Sequence, residues 1–326
     1  MIHPSARSLP ALLVAALTTL GACQVAPTWA DAFPVEILDD RGKQVVIEQR
    51  PESVAAISTF GADLVTALGG QMAGLSTLNG KQSAFLGDAA TGAVNLGEIH
   101  QANLEVLTQL APDLIVGLRT YTQPFEKKIE EAGTFIALDL TTLEDSLSAV
   151  ERLSRALGEE DRGQALNARF LSDLETFGTK APGGVTAVFL WDWADVPYAF
   201  YDHYLTTRIM GHLGATNVQG HRPTPELEMP DSAAIGLETL LRLDPDVILV
   251  FKGQDGPVAA NPVWSRLKAV RNGRAWRVND QYIMSHGPLA REMVLREMAH
   301  LLYPETFPEP EDIPSAARAV PLNVAN

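Results

Sequence analysis

The chain has a single cysteine, Cys23, in 326 residues. That excludes an internal disulfide and any zinc site built from several thiolates. Basic residues are scarce as well: 25 Lys and Arg stand against 40 Asp and Glu, a formal charge of −15. So acidic a surface does not suit a phosphate backbone, and nucleic acid is excluded as a partner. A small anionic ligand is not, because a few arginines can set a local field inside a cleft. Catalytic signatures are missing: there is no Gly-x-Ser-x-Gly, no phosphate-cradling GxxxxGK[ST], no HExxH, CxxC or DxDxDG. No catalytic residue is assigned, and the expectation is a protein that is not an enzyme. Long apolar runs are missing too, apart from Leu9–Ala22, which has 14 residues. That is short for a bilayer span and suits the apolar core of a secretory signal peptide over residues 1–30.

Two processing routes compete at that leader. Leu20-Gly21-Ala22-Cys23 has the form of a lipobox, which would place a lipid on Cys23. Thr28-Trp29-Ala30 and Ala30-Asp31-Ala32 offer the small residues that signal peptidase I needs, which would release a soluble chain. Both routes export the protein.

What is present is ordinary globular composition, 46% hydrophobic and 20% charged, in a chain long enough for two domains. The organising stretch is Asn103–Gly117, NLEVLTQLAPDLIVG, which recurs as Gly236–Val250, GLETLLRLDPDVILV. At an offset of 133 residues, seven of fifteen positions match, including Glu105/Glu238, Pro112/Pro245 and Asp113/Asp246. In each copy, leucines at i, i+3 and i+6 give a helix an apolar face. Proline disfavours helical geometry in the residue before it and ends that helix. Leu114–Val116 and Val247–Phe251 then read as buried parallel strands. One helix-to-strand unit used twice implies two lobes of similar build.

Around the repeat, Val35–Asp39 and Lys43–Gln49 form a hairpin pattern, and Val54–Ile57, Ala73–Leu75 and Phe135–Leu138 are strands. Gly61–Leu68 and Gln123–Ala132 are helices, while residues 80–103 read as loop with a short helix. Leu143–Leu157 and Glu160–Phe177 are two successive helices without an intervening strand. Strands Val185–Leu190 and Ala275–Val278 then alternate with helices Leu205–Leu213, Pro262–Val270 and Leu289–Leu302. Alternation of this kind predicts mostly parallel α/β sheets. Residues 304–326 carry five prolines and read as a loosely attached tail.

Phe33–Ile57, the two repeat copies and Asn261–Pro304 together resemble the class III periplasmic substrate-binding proteins of iron-siderophore, haem and cobalamin ABC importers. The resemblance implies two α/β lobes bridged by one long helix, with a ligand cleft between them and little hinge motion. The corresponding boundaries are 33–158 for the N-terminal lobe, 159–178 for the bridging helix, 179–304 for the C-terminal lobe and 305–326 for the tail. It also implies a monomer in the periplasm that feeds an inner-membrane permease, with a glutamate of each lobe, Glu105 and Glu238, meeting arginine pockets there. Membrane contact would come only through the permease or a lipid on Cys23.

In open α/β sheets ligands sit beyond the carboxyl ends of the strands. That logic selects Phe60, Arg119 and Tyr121 from the N-terminal half. Arg119 is a candidate partner for a negatively charged chelate. From the C-terminal half it selects the stretch Trp191–Tyr204, WDWADVPYAFYDHY, with six aromatic residues and His203 in fourteen positions. Trp191, Trp193, Tyr198, Tyr201, His203 and Tyr204 suit a large amphipathic ligand, and Tyr282 and His286 would close that wall. His203 and His286, with a neighbouring Tyr or Asp, are the histidines placed to reach a metal. His212 and His300 fall within helices. The expected ligand is a ferric siderophore whose iron is held by the chelator, with no protein-ligated metal and no cofactor. Haem or cobalamin is the alternative on the same fold. A metallochaperone or chelatase-like protein, or an accessory periplasmic interaction protein, is the alternative of another class.

Overall fold

The computed structural model describes Met1 and residues 33–192, 196–223, 231–252 and 258–322. In the N-terminal half, a hairpin of β1 (Val35–Leu38) and β2 (Gln44–Ile47) precedes β3 (Val54–Ile57), α1 (Thr59–Ala67) and β4 (Gly74–Thr77). Next come β5 (Val94–Glu98), β6 (Gln101–Ala102), α2 (Leu104–Leu110), β7 (Leu114–Leu118), α3 (Arg119–Thr122), α4 (Glu126–Ala132) and β8 (Thr134–Leu138). Two helices, α5 (Leu143–Ala156) and α6 (Glu160–Lys180), cross to the second half. There β9 (Thr186–Asp192), β10 (Tyr198–Phe200), α7 (Leu205–His212), β11 (Thr216–Asn217) and β12 (Ser232–Ala234) lead into α8 (Leu237–Leu243) and β13 (Val247–Lys252). The chain closes with α9 (Lys268–Arg271), β14 (Ala275–Val278), α10 (Asp280–Ile283), α11 (Pro288–Leu302) and β15 (Val320–Pro321).

The first sheet has the order β6-β5-β4-β3-β7-β8, the second β12-β10-β9-β13-β14-β15 with β11 also on β9. Each is covered on both faces, as the uninterrupted apolar strands require. Along β7, Leu114 and Val116 enter one core and Ile115 the other. Along β13, Val247, Leu249 and Phe251 face one core, Ile248 and Val250 the opposite one.

Helix α6 has 21 residues and so runs about 32 Å. Its buried stripe, Gly163, Asn167, Phe170 and Leu174, recurs at the spacing of one helix face. Gly163 is required there: a Cβ would lie 2.2 Å from the Ser154 hydroxyl of α5. Helix α11 serves both sheets. Ala290 packs into the first core, and Val294, Leu295 and Met298 into the second.

Four expectations are corrected. Residues 80–103 do hold the expected short helix, a 3-10 segment at Ala84–Ala90, but also two strands, β5 and β6, at one side of the sheet. The aromatic stretch is a hairpin rather than a loop, because β10 pairs antiparallel with β9. The tail is docked, not loose. Phe307, Ile313 and Ala317 are buried, Gln281 donates to the Ala317 carbonyl at 2.6 Å, and β15 pairs with β14. Helix Pro262–Val270 is also broken, into a 3-10 turn at Trp264–Arg266 and α9.

Candidate functional site

The repeat explains what each of its residues does. Helices α2 and α8 both end on a left-handed residue, Ala111 at φ 45° and Asp244 at φ 41°, followed by the Pro-Asp pair. Asp113 Oδ2 accepts from the amides of Glu52 and Ser53, both at 2.9 Å. Asp246 Oδ2 accepts from the Thr186 amide at 2.9 Å and its hydroxyl at 2.8 Å. Since β7 pairs with β3 and β13 with β9, each aspartate ties the start of its own strand to its neighbour. Glu105 and Glu238 have no such duty and stand exposed in the first turn of their helices.

The carboxyl ends of the two sheets face one another. Leu78, after β4, packs against the second sheet's core. The carbonyl of Thr141, after β8, accepts from the Leu205 amide at 2.9 Å. Tyr121, after β7, lies within electrostatic reach of Asp231, which precedes β12. Burial, and then that negative charge, raise its phenol pKa.

The second wall is built by the β9–β10 hairpin. Trp191 and Tyr198 are direct cross-strand partners and half-buried, so their rings share a face of the pair. The Tyr201 amide donates to the Asp231 carbonyl at 2.9 Å, and His203 stacks on the Tyr201 ring with centroids 6.1 Å apart. Tyr121, Trp191, Tyr198, Tyr201 and His203 are therefore linked through Asp231 and the hairpin. Trp193 lies outside the described residues.

Arg119 is at the expected place, but its guanidinium is occupied. Its Nε donates to both oxygens of Asp139, at 3.0 and 2.8 Å, and Nη2 lies 2.5 Å from Oδ2. Asp139, first after β8, and Asp231 are the residues that sequence reasoning missed; Asp139 obeys the same strand-end rule that selected Arg119.

Five candidates lie in the interior, Tyr201 among them at 3% exposed. Phe60 is 3% exposed, because its place in α1 turns it into the first core. Tyr204 is buried among Phe189 and Phe200 and donates to the Ile283 carbonyl. Tyr282 is fully buried and donates to Glu297 at 2.9 Å. Burial, and then the charge of Glu297, raise its phenol well above the usual range. His286 is buried edge-on to Tyr204, and burial lowers its pKa to about 4. His203 and His286 thus serve different surroundings, and no group of three His, Cys, Asp or Glu able to hold a metal occurs among the described residues.

His286 belongs to a buried polar seam behind the cleft. Its carbonyl accepts from Ser146 Oγ at 2.6 Å. Arg291 of α11 donates to Ser146 at 3.0 Å and to Asn167 at 2.8 Å, and stacks on Phe170. Asp63 of α1 accepts from the Leu289 and Ala290 amides, both at 2.8 Å, at the start of α11. Gly287 is needed for that approach: a Cβ would sit 2.2 Å from the Asp63 carboxyl carbon. Burial pushes Asp63 up to about 7 against the pull of those two amides and of Arg291. The seam joins α1, α5, α6 and α11, and so fixes one sheet against the other.

A separate cavity of about 410 Å³ lies at the amino end of β3, lined by Arg50, Val54, Leu68, Leu157 and Glu159 among others. It is at the opposite end of the sheet from the facing walls.

The profile of the periplasmic binding protein family matches residues 54–282. The chain belongs to that family. Among solved structures, this periplasmic binding protein is similar to the triscatecholate siderophore binding protein FeuA from Bacillus subtilis complexed with ferri-bacillibactin. The TM-score is 0.69 and the identity 19%, over 83% of this chain and 98% of that one. It is similar also to Staphylococcus aureus SirA complexed with staphyloferrin B, with TM-score 0.65 and 17% identity over 83% and 98% of the two chains. Among curated proteins, the Fe(3+)-citrate-binding protein YfmC of Bacillus subtilis is 23% identical over 279 residues, 82% of this chain and 85% of that protein. The two-lobed α/β architecture with a long connecting helix is the fold these structures share. The family consists of binding proteins rather than enzymes.

Proposed function

We propose that this protein is the exported receptor of an ABC importer, capturing a ferric siderophore and presenting it to an inner-membrane permease. The observation that carries the reading is the pairing of Glu105 and Glu238. They are exposed, in the same turn of equivalent helices, in a repeat whose other polar residue is consumed by structure. Two like charges repeated on two lobes fit a twofold partner through charge-assisted arginine pairs. The half-buried rings of Tyr121, Trp191 and Tyr198 supply flat contact area for a large chelate. The names of FeuA, SirA and YfmC support iron chelates as the ligand class. The leader over residues 1–30 carries export, and Cys23 is the position a lipid would take. The iron stays in its chelator, with the protein contacting the outside of the complex.

The test is quenching of tryptophan fluorescence on titration with ferric siderophores, their iron-free forms, haem and cobalamin. Saturable quenching by a ferric siderophore, and not by its iron-free form, is the expected result. Response to haem or cobalamin alone would reassign the ligand. Silence from a folded protein would point to an accessory role toward another protein.

A further inference from the structure

We infer that the cleft selects ferric chelates of zero or positive net charge over polyanionic ones; the inference rests on the ferric-chelate reading above. The first observation is the state of Arg119. Its guanidinium is already engaged by both oxygens of Asp139. An anionic chelate that takes this arginine must break that pairing and leave the Asp139 carboxylate facing it. A planar guanidinium offers its fork to one carboxylate at a time, so the two compete for the same donors.

The second observation is what stands opposite. Asp231 lies in the second wall within reach of Tyr121, and its carboxylate is met by the Ser232 hydroxyl at 2.9 Å, a neutral partner. Asp202, next to Tyr201, is bonded by Asn217 at 2.9 Å and His221 at 2.9 Å. Glu98, at the end of β5, accepts from Thr77 and Gly80. Cations at or near these strand ends include Arg119, the exposed Lys81 after β4, Lys252 as the last residue of β13, Arg152, which is paired with the Asp40 that accepts from the Asp139 amide, and Arg222, which has an interaction of its own. Among the described residues, Arg119 and Arg152 are each already paired with an aspartate, and Lys81 and Lys252 belong to the ends of strands in different sheets.

The third observation is the wall itself. Tyr121, Trp191 and Tyr198 are half-buried rings at or just beyond these strand ends, Trp191 packing in part on the second core, and the face of a ring carries negative potential that attracts cations and tolerates neutral surfaces. The net charge of −15 adds a long-range field of the same preference. Ferric trishydroxamates, which are neutral or carry one ammonium, match all three. Ferric triscatecholates and ferric citrates, which are polyanions, match none.

The experiment titrates the full chain by tryptophan fluorescence with four probes at one salt concentration. They are a neutral cyclic ferric trishydroxamate, a linear ferric trishydroxamate bearing one ammonium, a trianionic ferric triscatecholate and ferric citrate. The expected result is at least tenfold tighter binding of a hydroxamate than of either polyanion. Asp139→Asn and Asp231→Asn should each tighten the triscatecholate by about tenfold while leaving the hydroxamates within about threefold. Tightest binding by a polyanion would overturn the inference and leave the chelate receptor standing. The same holds for a hydroxamate-to-catecholate ratio unmoved in both variants. Binding of no ferric chelate by a folded protein would overturn both.

Discussion

The two halves share a frame and differ in what they hang on it. In the first sheet, β3, β7 and β8 are parallel neighbours; in the second, β9, β13 and β14 repeat that arrangement. Both halves place helix, left-handed residue, Pro and Asp at the same point. The second half then departs, inserting the antiparallel strands β10 and β12 beside β9. The aromatic wall lies on β9, with Trp191, and on the inserted β10, with Tyr198, while the first half contributes an ion pair and one tyrosine. The repeated part carries the architecture and the exposed glutamates proposed to dock, and the hairpin carries most of the rings proposed to meet the ligand.

The comparison can be broken first at the glutamates. Charge reversal of both Glu105 and Glu238 to Lys should reduce uptake by about 100-fold or more, with chelate affinity unchanged, since rim charges set orientation and encounter. Each single reversal should fall between. An effect confined to one lobe would deny the twofold docking.

The seam gives the next largest effect, and its sign follows from two opposed groups. Asp63 titrates at about 7 in the folded chain, above its unfolded value of about 3.9. Its contribution is therefore greatest in acid and declines as pH rises from about 4 to about 7. His286 titrates at about 4, below its unfolded value of about 6.5. Its contribution is present above about 6.5 and is lost as pH falls toward 4. In the wild type the slopes oppose each other. Asp63→Asn leaves only the histidine, so urea unfolding should show about 2–3 kcal/mol lost between pH 6.5 and 4. A variant as flat as the wild type would contradict the assignment.

The unequal walls give a smaller effect. Trp191→Ala or Tyr198→Ala should weaken chelate binding by about tenfold each, as aromatic contacts are worth about 1 kcal/mol beyond area. Phe60→Leu, on the core side of α1, should leave affinity within about twofold while lowering the unfolding midpoint. Equal losses of affinity in all three would erase the distinction between wall and core.

The smallest effect separates the two strand ties. Burial opposes ionisation of Asp246, but the ammonium of Lys268 and the bonds from Thr186 hold it down to about 2. Its folded value is depressed, so its stabilisation is present above about pH 4 and lost as pH falls toward 2. Asp246→Asn should cost about 1–2 kcal/mol at neutral pH in urea unfolding. Asp113→Asn, on a more exposed carboxylate without a lysine, should cost about 1 kcal/mol or less. Equal costs would remove the asymmetry.

The frame was legible because Pro and Asp recur in register with the leucines, and each has a local job that demands that residue type. Strand β5, next to the edge, was not, since its Val94 and Asn95 are exposed and no alternation betrays it. Strand β10 is three residues inside an aromatic run, too short to show a period. The tail misled because its prolines are visible in the sequence and the burial of Phe307 and Ile313 between them is not. For the site, the strand-end rule located Arg119 and Tyr121 but was silent on direction. Phe60, third after β3 as Tyr121 is third after β7, turns inward from helix α1. The pairing of Tyr282 with Glu297, and of Arg119 with Asp139, joins residues 15 and 20 apart whose encounter only the folded chain reveals.

The shared helix α11, plugged at its start by Asp63, has a consequence for traffic at the membrane. On the proposed docking, sheets welded behind the cleft would make the span from Glu105 to Glu238 a yardstick of one length, cargo aboard or not. A permease that gauges only that span accepts the vacant carrier as readily as the laden one. Vacant carriers then queue for the same berth, and import should slow when the receptor greatly outnumbers its cargo. Telling full from empty is left to whatever the permease touches at the mouth of the cleft.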